Sequence, residues 1–443
     1  MPDQRRSLPP MSRRSFLGGA AAAGALTLGA CGSPRSARDL TFLINHTNQE
    51  AQLFDEQIGV FLDGDPEHRI TLQNIASGPQ FYTRLRTVSV TNDLPDVWYA
   101  RTLDTAFNVS NSWQLPLDEF IRDDPDAAVD DIWAAQVRQM SVDDVQYSMP
   151  YDLSCYCIYY NRTAFEEKGI DRPDDESWTW DELFEIAEAF TESSGGRQTR
   201  WGFYFSLGTW FFDGVFRSNG GGLFEDDGRT VVIASEENIA TLDTFYAMMD
   251  SGVAAQPQTL GAAVDPFISG LVAMAVNGSW ATAQTRDQIG DRFAWDVLKL
   301  PKGTTGRREV ATAGGAWGIS RDSANPELAW EFIRFLSDTE RLNLFISEPL
   351  RGIPGRISAA EDEEAMNASA GLPPESFRIL RQMLVEDAYE VTWPPFWAEF
   401  ETIWNNRATA LNGGARPRDV LTQIDSDVRA ASARFFGSEG GDR

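Results

Sequence analysis

Beyond residue 39, short apolar runs alternate with amphipathic stretches of helical period, and this alternation restricts the fold more than any other feature. "DLTFLIN" (39–45) is apolar and bounded by polar residues, as a buried strand would be. In "AQLFDEQIGVFLDGDP", Leu53, Phe54, Ile58, Phe61 and Leu62 fall at helical spacing, with a stop at Gly64 and Pro66. "DVWYA" (96–100) reads as the next strand, after the Leu94–Pro95 break. In "TWDELFEIAEAF", Thr179 and Glu182 have capping-box spacing, and Leu183, Ile186, Ala187 and Phe190 form one apolar face. Asn325 and Pro326 open another helix as N-cap and first residue, with Leu328, Phe332, Phe335 and Leu336 toward a core. Strands alternating with helices predict an α/β chain. Its 443 residues exceed one ordinary domain, so two lobes are expected.

The N-terminal segment reads as an address rather than part of that fold. In "MSRRSFLGGAAAAGALTLGAC" (11–31), two arginines precede an apolar run from Phe16 to Ala30 that stops at Cys31. Such a run spans about 22 Å as helix, short of the roughly 30 Å hydrocarbon core. Positive residues before a short apolar core, and small residues after it, mark an export signal. Ser12-Arg13-Arg14-Ser15-Phe16-Leu17 resembles a twin-arginine motif, with Gly18 where lysine is frequent. Leu28-Gly29-Ala30-Cys31 resembles a lipobox, whose cysteine is acylated and becomes the first mature residue. Residues 1–31 are therefore expected to be a signal and 32–39 a flexible tether. The chain is expected to be lipid-anchored at the outer face of the cytoplasmic membrane.

A net charge of -28 argues against nucleic acid as a partner, because that binding is driven by cationic side chains that displace counterions. Cys155 and Cys157 on one strand share a face and are poorly placed to bridge each other, so two buried thiols are expected. The only histidines are His46 and His68, the latter in a solvated turn, and no Cys/His cluster has metal-ligand spacing. Neither a metal nor a cofactor is expected. No lysine follows a phosphate-loop glycine pattern, so the chain should not hydrolyse ATP. The 66 acidic residues offer glycosidase carboxylates, but nothing singles out a pair. No catalytic residue is assigned.

Six phrases occur in one order: "LPDVWYA", "YSMPYDLSCYCIYYNRTAFEEKGI", "SWTWDELFEIAEAF", "SNGGGLFEDDG", "FISGLVAMAVNGSWA" and "GGAWGISRDSANPELAWEFIRFLSD". The ordered set resembles the extracellular solute-binding proteins of ABC importers, the family 1 or maltose-binding-protein-like group. It runs from about residue 40 to the C-terminal "LNGGARPRDVLTQIDSDV". The resemblance implies a two-lobed periplasmic-binding-protein-like fold of type II, with three interlobe crossings and a central ligand cleft. By the matching phrases the crossings fall near 150–153, 312–316 and 348–354. Lobe 1 then holds 40–150 and 316–347, and lobe 2 holds 154–311 and 355–443. Ligand would bind where strand ends and crossover loops meet.

A sugar is the expected ligand. A flat indole buries the C–H face of a pyranose, while carboxylates and amides accept from its hydroxyl rim. Several of the 14 tryptophans sit at loop-like positions. Trp280 follows an expected Asn277–Gly278 turn and matches the tryptophan of the family's "NGxW" phrase. Trp397 matches a C-terminal stacking aromatic, with Trp393 beside it. Asp152 lies in the first crossing, where the family commonly has an acidic residue; the alternative is a hinge carboxylate bonded to local backbone. Asn48 closes the loop Asn45–His46–Thr47–Asn48 after the first strand, where His46 is as suited to structure as to ligand. Tyr99, Arg101 and Trp210 fall at family binding loops, and Gly315, beside Gly314, permits close backbone approach at the second crossing. Trp178, Trp180 and Trp330 are assigned to packing. The reading is a monomeric, non-enzymatic sugar-binding lipoprotein that feeds permease subunits served by a separate ATPase. Alternatives are a secreted glycoside-active enzyme, a sensor-type binding protein, or a binder of glycerol-3-phosphate or polyol.

Overall fold

The strand expected at 39–45 forms as β1 (Asp39–Ile44), with β2 (Arg69–Asn74) and β3 (Val97–Arg101) parallel on either side of it. Its buried residues reach 0–1% exposure, as a strand covered on both faces requires. The computed structural model describes residues 36–438 apart from 77, 92, 257–264, 369–372, 390 and 392. Cys31 and the export segment lie outside the described residues. Among those described, no helix is long and apolar enough to cross a membrane.

Helix α1 (Asn48–Phe61) starts earlier than its apolar spacing suggests, because Thr47 and Glu50 make a capping box ahead of it. Both caps read from the sequence are present. Thr179 and Glu182 close a capping box on α2 (Trp180–Phe190), and the Asn325 side chain accepts from Leu328 N at the start of a helix opened by Pro326.

The first sheet is completed by β4 (Ser148–Ser154), β10 (Ala313–Ile319) and β11 (Ile353–Pro354), in the order β11-β4-β10-β3-β1-β2. The second contains β5 (Tyr156–Asn161), β6 (Glu192–Ser194), β7 (Arg197–Tyr204), β8 (Val272–Gly278) and β9 (Trp295–Leu298), in the order β9-β5-β8-β7-β6. Each sheet anchors one lobe, with largely separate apolar clusters.

The chain passes between the sheets three times. The first passage is at Cys155, because β4 stays in the first sheet through Ser154. The second is at Ala311–Thr312: the Ala311 carbonyl accepts from Trp210 in the second lobe, and the Thr312 carbonyl from Gln139 in the first. At the expected third passage, 348–354, the Pro349 and Leu350 carbonyls accept from Arg286 and Thr282 of the second lobe, and the chain then returns to the first. The buried Arg356 guanidinium bonds to carbonyls of Ser337, Ala127 and Ala128, and Asp362 accepts from Asn343, all in the first lobe. Ser376 bonds Asp296 of β9, which puts it on the second lobe. Cys155 and Cys157 are unbridged and buried, and burial pushes both thiols up.

Candidate ligand-binding cleft

Antiparallel register brings three expected site residues into one row. Gly315 on β10 lies between Arg101 on β3 and Asp152 on β4. A Cβ at Gly315 would sit 2.3 Å from the Tyr99 ring and 2.6 Å from an Asp152 oxygen, so glycine lets both groups close over the strand. Gly315 N donates to Asp152 Oδ1 at 2.6 Å, and Ser154 Oγ donates to Oδ2 at 2.8 Å. Asp152 is thus bonded to crossing backbone and also lines the cavity, so both readings of it have a geometric basis.

The cavity, about 410 Å³, lies between the lobes. From the first lobe, Asn45, Tyr82, Tyr99, Arg101, Asp152 and Arg351 face it. From the second come Tyr156, Trp210 and Trp280, which form one aromatic wall. Trp210 and Trp280 stack at 5.1 Å and 17°, and Tyr156 meets them edge-on at 4.9 and 5.2 Å. The Trp210 indole is aimed by its Nε1–H, which donates to the Ala311 carbonyl at 3.0 Å. The expected turn at Asn277–Gly278 is instead strand: β8 pairs through Gly278 with Tyr156. Trp280 is the middle residue of the following turn, Ser279–Ala281, and folds its six-membered ring back onto Gly278, where a Cβ would lie 2.1 Å from ring carbons. Trp280 is therefore a packed member of a ring stack, not a lone ring at the cleft edge.

Helix α3 (Trp397–Ala408) supplies Glu401 and Asn405, one and two turns beyond Trp397. Of this helix only Trp397 was expected at the site, and its N-terminal turn is covered. Trp397 is fully buried against Trp393 at 4.4 Å and Phe400 at 4.9 Å, so it has no open face for a sugar. Trp393 is 7% exposed and lines a different space. Asn48 is the first residue of α1 and points to solvent, because Thr47 takes the cap; Asn45 is the residue of that loop at the cavity.

That different space is larger, about 880 Å³, and also lies between the lobes, beside Thr102, Arg138, Trp393 and Phe436. Its rings are already covered: Trp393 by Trp397, and Phe436 by the Arg229 guanidinium at 4.3 Å. The smaller cavity is the candidate site, because ring faces of one lobe and hydrogen-bonding groups of the other converge on it.

Its charges are matched in pairs. Arg101 donates twice to Asp104, at 2.7 and 3.0 Å, and once to Glu401 at 3.2 Å, with its guanidinium 4.1 Å above the Tyr82 ring. Arg351 bonds Glu50 and the Tyr151 hydroxyl. Burial alone would raise the Glu50 carboxyl, but Arg351, His46 and Thr47 outweigh it and bring it down to about 2. His46 is buried among Phe54, Tyr99 and Tyr151, and burial followed by the Arg351 charge lowers its imidazole to about 3. It is neutral at ordinary pH and supports Tyr99 from behind. Burial and the Asp152 charge keep the Tyr99 phenol protonated, so it remains a donor.

Sequence reasoning missed Tyr156, Arg351 and Glu401. Tyr156 sits in the strand phrase "CYCIYY" as one of several inward aromatics, and Glu401 is the i+4 neighbour of a residue that was singled out. Arg351, between Pro349 and Gly352 at an expected crossing, was the most readable of the three.

Residues 45–340 match the family model for bacterial extracellular solute-binding protein. The lactose-binding protein of Rhizobium radiobacter is 23% identical over 52% of this chain and 54% of its own length. The maltodextrin-binding protein MdxE of Bacillus subtilis is 23% identical over 51% and 53%. The chain thus spans about half the length of the curated relatives it matches. Among solved structures, the substrate-binding protein Lmo0181 of Listeria monocytogenes, in complex with cycloalternan, aligns over 90% of this chain and 99% of its own. Its TM-score is 0.80, at 22% identity. The GacH receptor of Streptomyces glaucescens aligns over 88% and 97%, with a TM-score of 0.76 at 20% identity. These likenesses show the fold, the two-lobed type II arrangement. The chain belongs to the bacterial extracellular solute-binding protein family.

Proposed function

We propose that this chain captures a neutral carbohydrate between its lobes as the binding component of an ABC importer, and hands it to membrane permease subunits served by a separate ATPase. One observation carries the reading: a stacked indole pair with an edge-on phenol faces a wall of hydrogen-bonding groups across one cavity of about 410 Å³. A pyranose presents just those two surfaces, an apolar face and a hydroxyl rim. The relatives named for lactose and maltodextrin, and the neighbour solved with cycloalternan, support the class.

Charge matching supports neutrality. Arg101 and Arg351 are each answered by carboxylates, so a phosphate would have to displace them, which disfavours glycerol-3-phosphate. Ligand that touches both lobes favours closure, and the closed surface is what a permease would recognise. Cys31 would carry the lipid anchor, and the protein would work as a monomer without turning over its ligand.

The test is a thermal-shift panel of sugars, polyols and glycerol-3-phosphate, since a ligand that binds only the folded state raises the melting temperature. A rise with one or a few neutral sugars is expected. A rise with glycerol-3-phosphate alone, or chromatographic release of smaller sugars from an oligosaccharide, contradicts the reading. Cys31→Ser should move the protein from the membrane to the soluble fraction; retention at the membrane would refute the anchor.

A further inference from the structure

The ladder between β10 and β4 slips by one residue at the candidate site. Gly315 faces Asp152, the next residue Ala316 faces Pro150, and Tyr151 is left as the extra residue of a bulge. A bulge bends its strand and re-aims the side chain beside it. Here the Asp152 carboxylate takes the N–H of the facing residue, Gly315, at 2.6 Å. One buried side chain holds the backbone on both strands of this irregularity. Gln136, on the short helix Ala134–Gln139, donates from Nε2 to the Asp152 carbonyl at 2.9 Å and to the Gly315 carbonyl at 3.2 Å. A primary amide has two N–H groups, so a single side chain serves both strands, and only its nitrogen end can face two carbonyls. Its Oε1 has no hydrogen-bond partner among the described residues. An arrangement that leaves a buried oxygen unpaired is not the one stability alone would favour.

The same helix holds the neighbouring backbone. Trp133, its N-cap, donates Nε1–H at 2.9 Å to the carbonyl of Pro354, which pairs with Asp152 from β11. Gln139 donates at 2.9 Å to the carbonyl of Thr312, where the chain passes between the lobes. Pro354, Asp152 and Gly315 therefore form one row across three strands, with all three carbonyls bonded from one helix. Of the three, Asp152 lines the smaller cavity with its side chain. We propose that Gln136 is a positioning residue for ligand binding: it holds the β4–β10 bulge in the register that presents the Asp152 carboxylate to that cavity. Its effect on affinity rests on the sugar reading; its effect on the carboxylate does not.

Gln136→Met keeps the length of the side chain and removes both donors. Calorimetric titration with maltose and with lactose compares it with Asp152→Ala and with the double variant. Gln136→Met should weaken binding about fivefold, and by less than about twofold once Asp152 is replaced, because nothing is then left to position. A residue that only supports the fold would lower the melting temperature and weaken binding equally in both backgrounds, or not at all; either pattern overturns the proposal. A crystal structure of Gln136→Met needs no ligand. The Asp152 carboxylate should leave Gly315 N, and an unchanged 2.6 Å contact overturns the proposal whether or not a sugar binds. If Gln136→Met does not fold, Gln136→Leu, which keeps the branched shape of the amide, decides in its place. If neither maltose nor lactose binds the unaltered protein, the crystal structure alone decides the positioning role, and the thermal-shift panel judges the sugar reading.

Discussion

Across the smaller cavity, the first lobe presents Tyr99, Arg101, Asp152 and Arg351, and the second presents Tyr156, Trp210 and Trp280. Three of the first set are already bonded within the protein: Asp152 to Gly315 N and Ser154, Arg101 to Asp104 and Glu401, Arg351 to Glu50 and Tyr151. A hydroxyl that joins such groups shares or replaces an existing hydrogen bond, so its net gain is small and directional. The ring faces have no hydrogen bond to exchange, and covering them with a sugar face gains apolar burial outright. The difference teaches a division of labour. For the proposed sugar, the second lobe would supply most of the affinity, and the first would supply orientation and choice among stereoisomers.

Among substitutions that separate the two walls, the largest effect belongs to a ring outside the site. Trp397→Ala empties a fully buried position and should cost about 3–5 kcal/mol of stability by chemical denaturation, with sugar affinity altered only a few-fold. A large affinity loss at near-normal stability would return Trp397 to the binding wall.

Trp280→Ala should do the reverse. Losing about 100 Å² of apolar contact with a sugar, at roughly 25 cal/mol per Å², removes about 2.5 kcal/mol of binding, or nearly two orders of magnitude by calorimetric titration. Because Trp280 also packs on Gly278, Trp210 and Tyr156, a stability loss of about 1 kcal/mol should accompany it.

A third effect concerns pH. His46 is held at about 3 when folded and returns to 6.5 when unfolded, so between these values the unfolded chain binds a proton that the folded one does not. Stability is full above pH 6.5 and falls as pH drops toward 3, by at most about 1.4 kcal/mol per pH unit. Glu50, at about 2 when folded against 4.5 unfolded, adds a loss of the same sign as pH falls from 4.5 toward 2. Denaturation curves of His46→Phe should show a flatter dependence between pH 6.5 and 4.5; an unchanged slope would exclude His46 as its source.

The smallest effect is expected at the polar wall. Asp152→Asn keeps the shape but weakens the charge-assisted bond from Gly315 N, for about 1 kcal/mol of stability and a comparable change in affinity. A loss of sugar affinity larger than that of Trp280→Ala would invert the division of labour.

Local signals in the sequence were the reliable ones. The Thr179–Glu182 capping box and the Asn325–Pro326 helix start were legible because each involves residues three or four apart. The attachment of Arg356 to the first lobe was not, because its guanidinium reaches carbonyls more than two hundred residues away. The tryptophans show the same limit within the site. Trp280 and Trp397 look alike in sequence, and only the packing of Trp393 and Phe400 decides that the second is closed over. Arg101, Gly315 and Asp152 could be named singly, yet their alignment in one row is a property of the β3–β10–β4 register, which no local pattern encodes.

A crystal structure of the protein with the sugar that raises its melting temperature most would test the central claim directly. A sugar ring is expected in the smaller cavity, its apolar face on the Trp210–Trp280 wall and its hydroxyls within hydrogen-bond reach of Asp152, Arg351 or Asn45. A sugar found in the larger space beside Trp393, with the smaller cavity unoccupied, would contradict it.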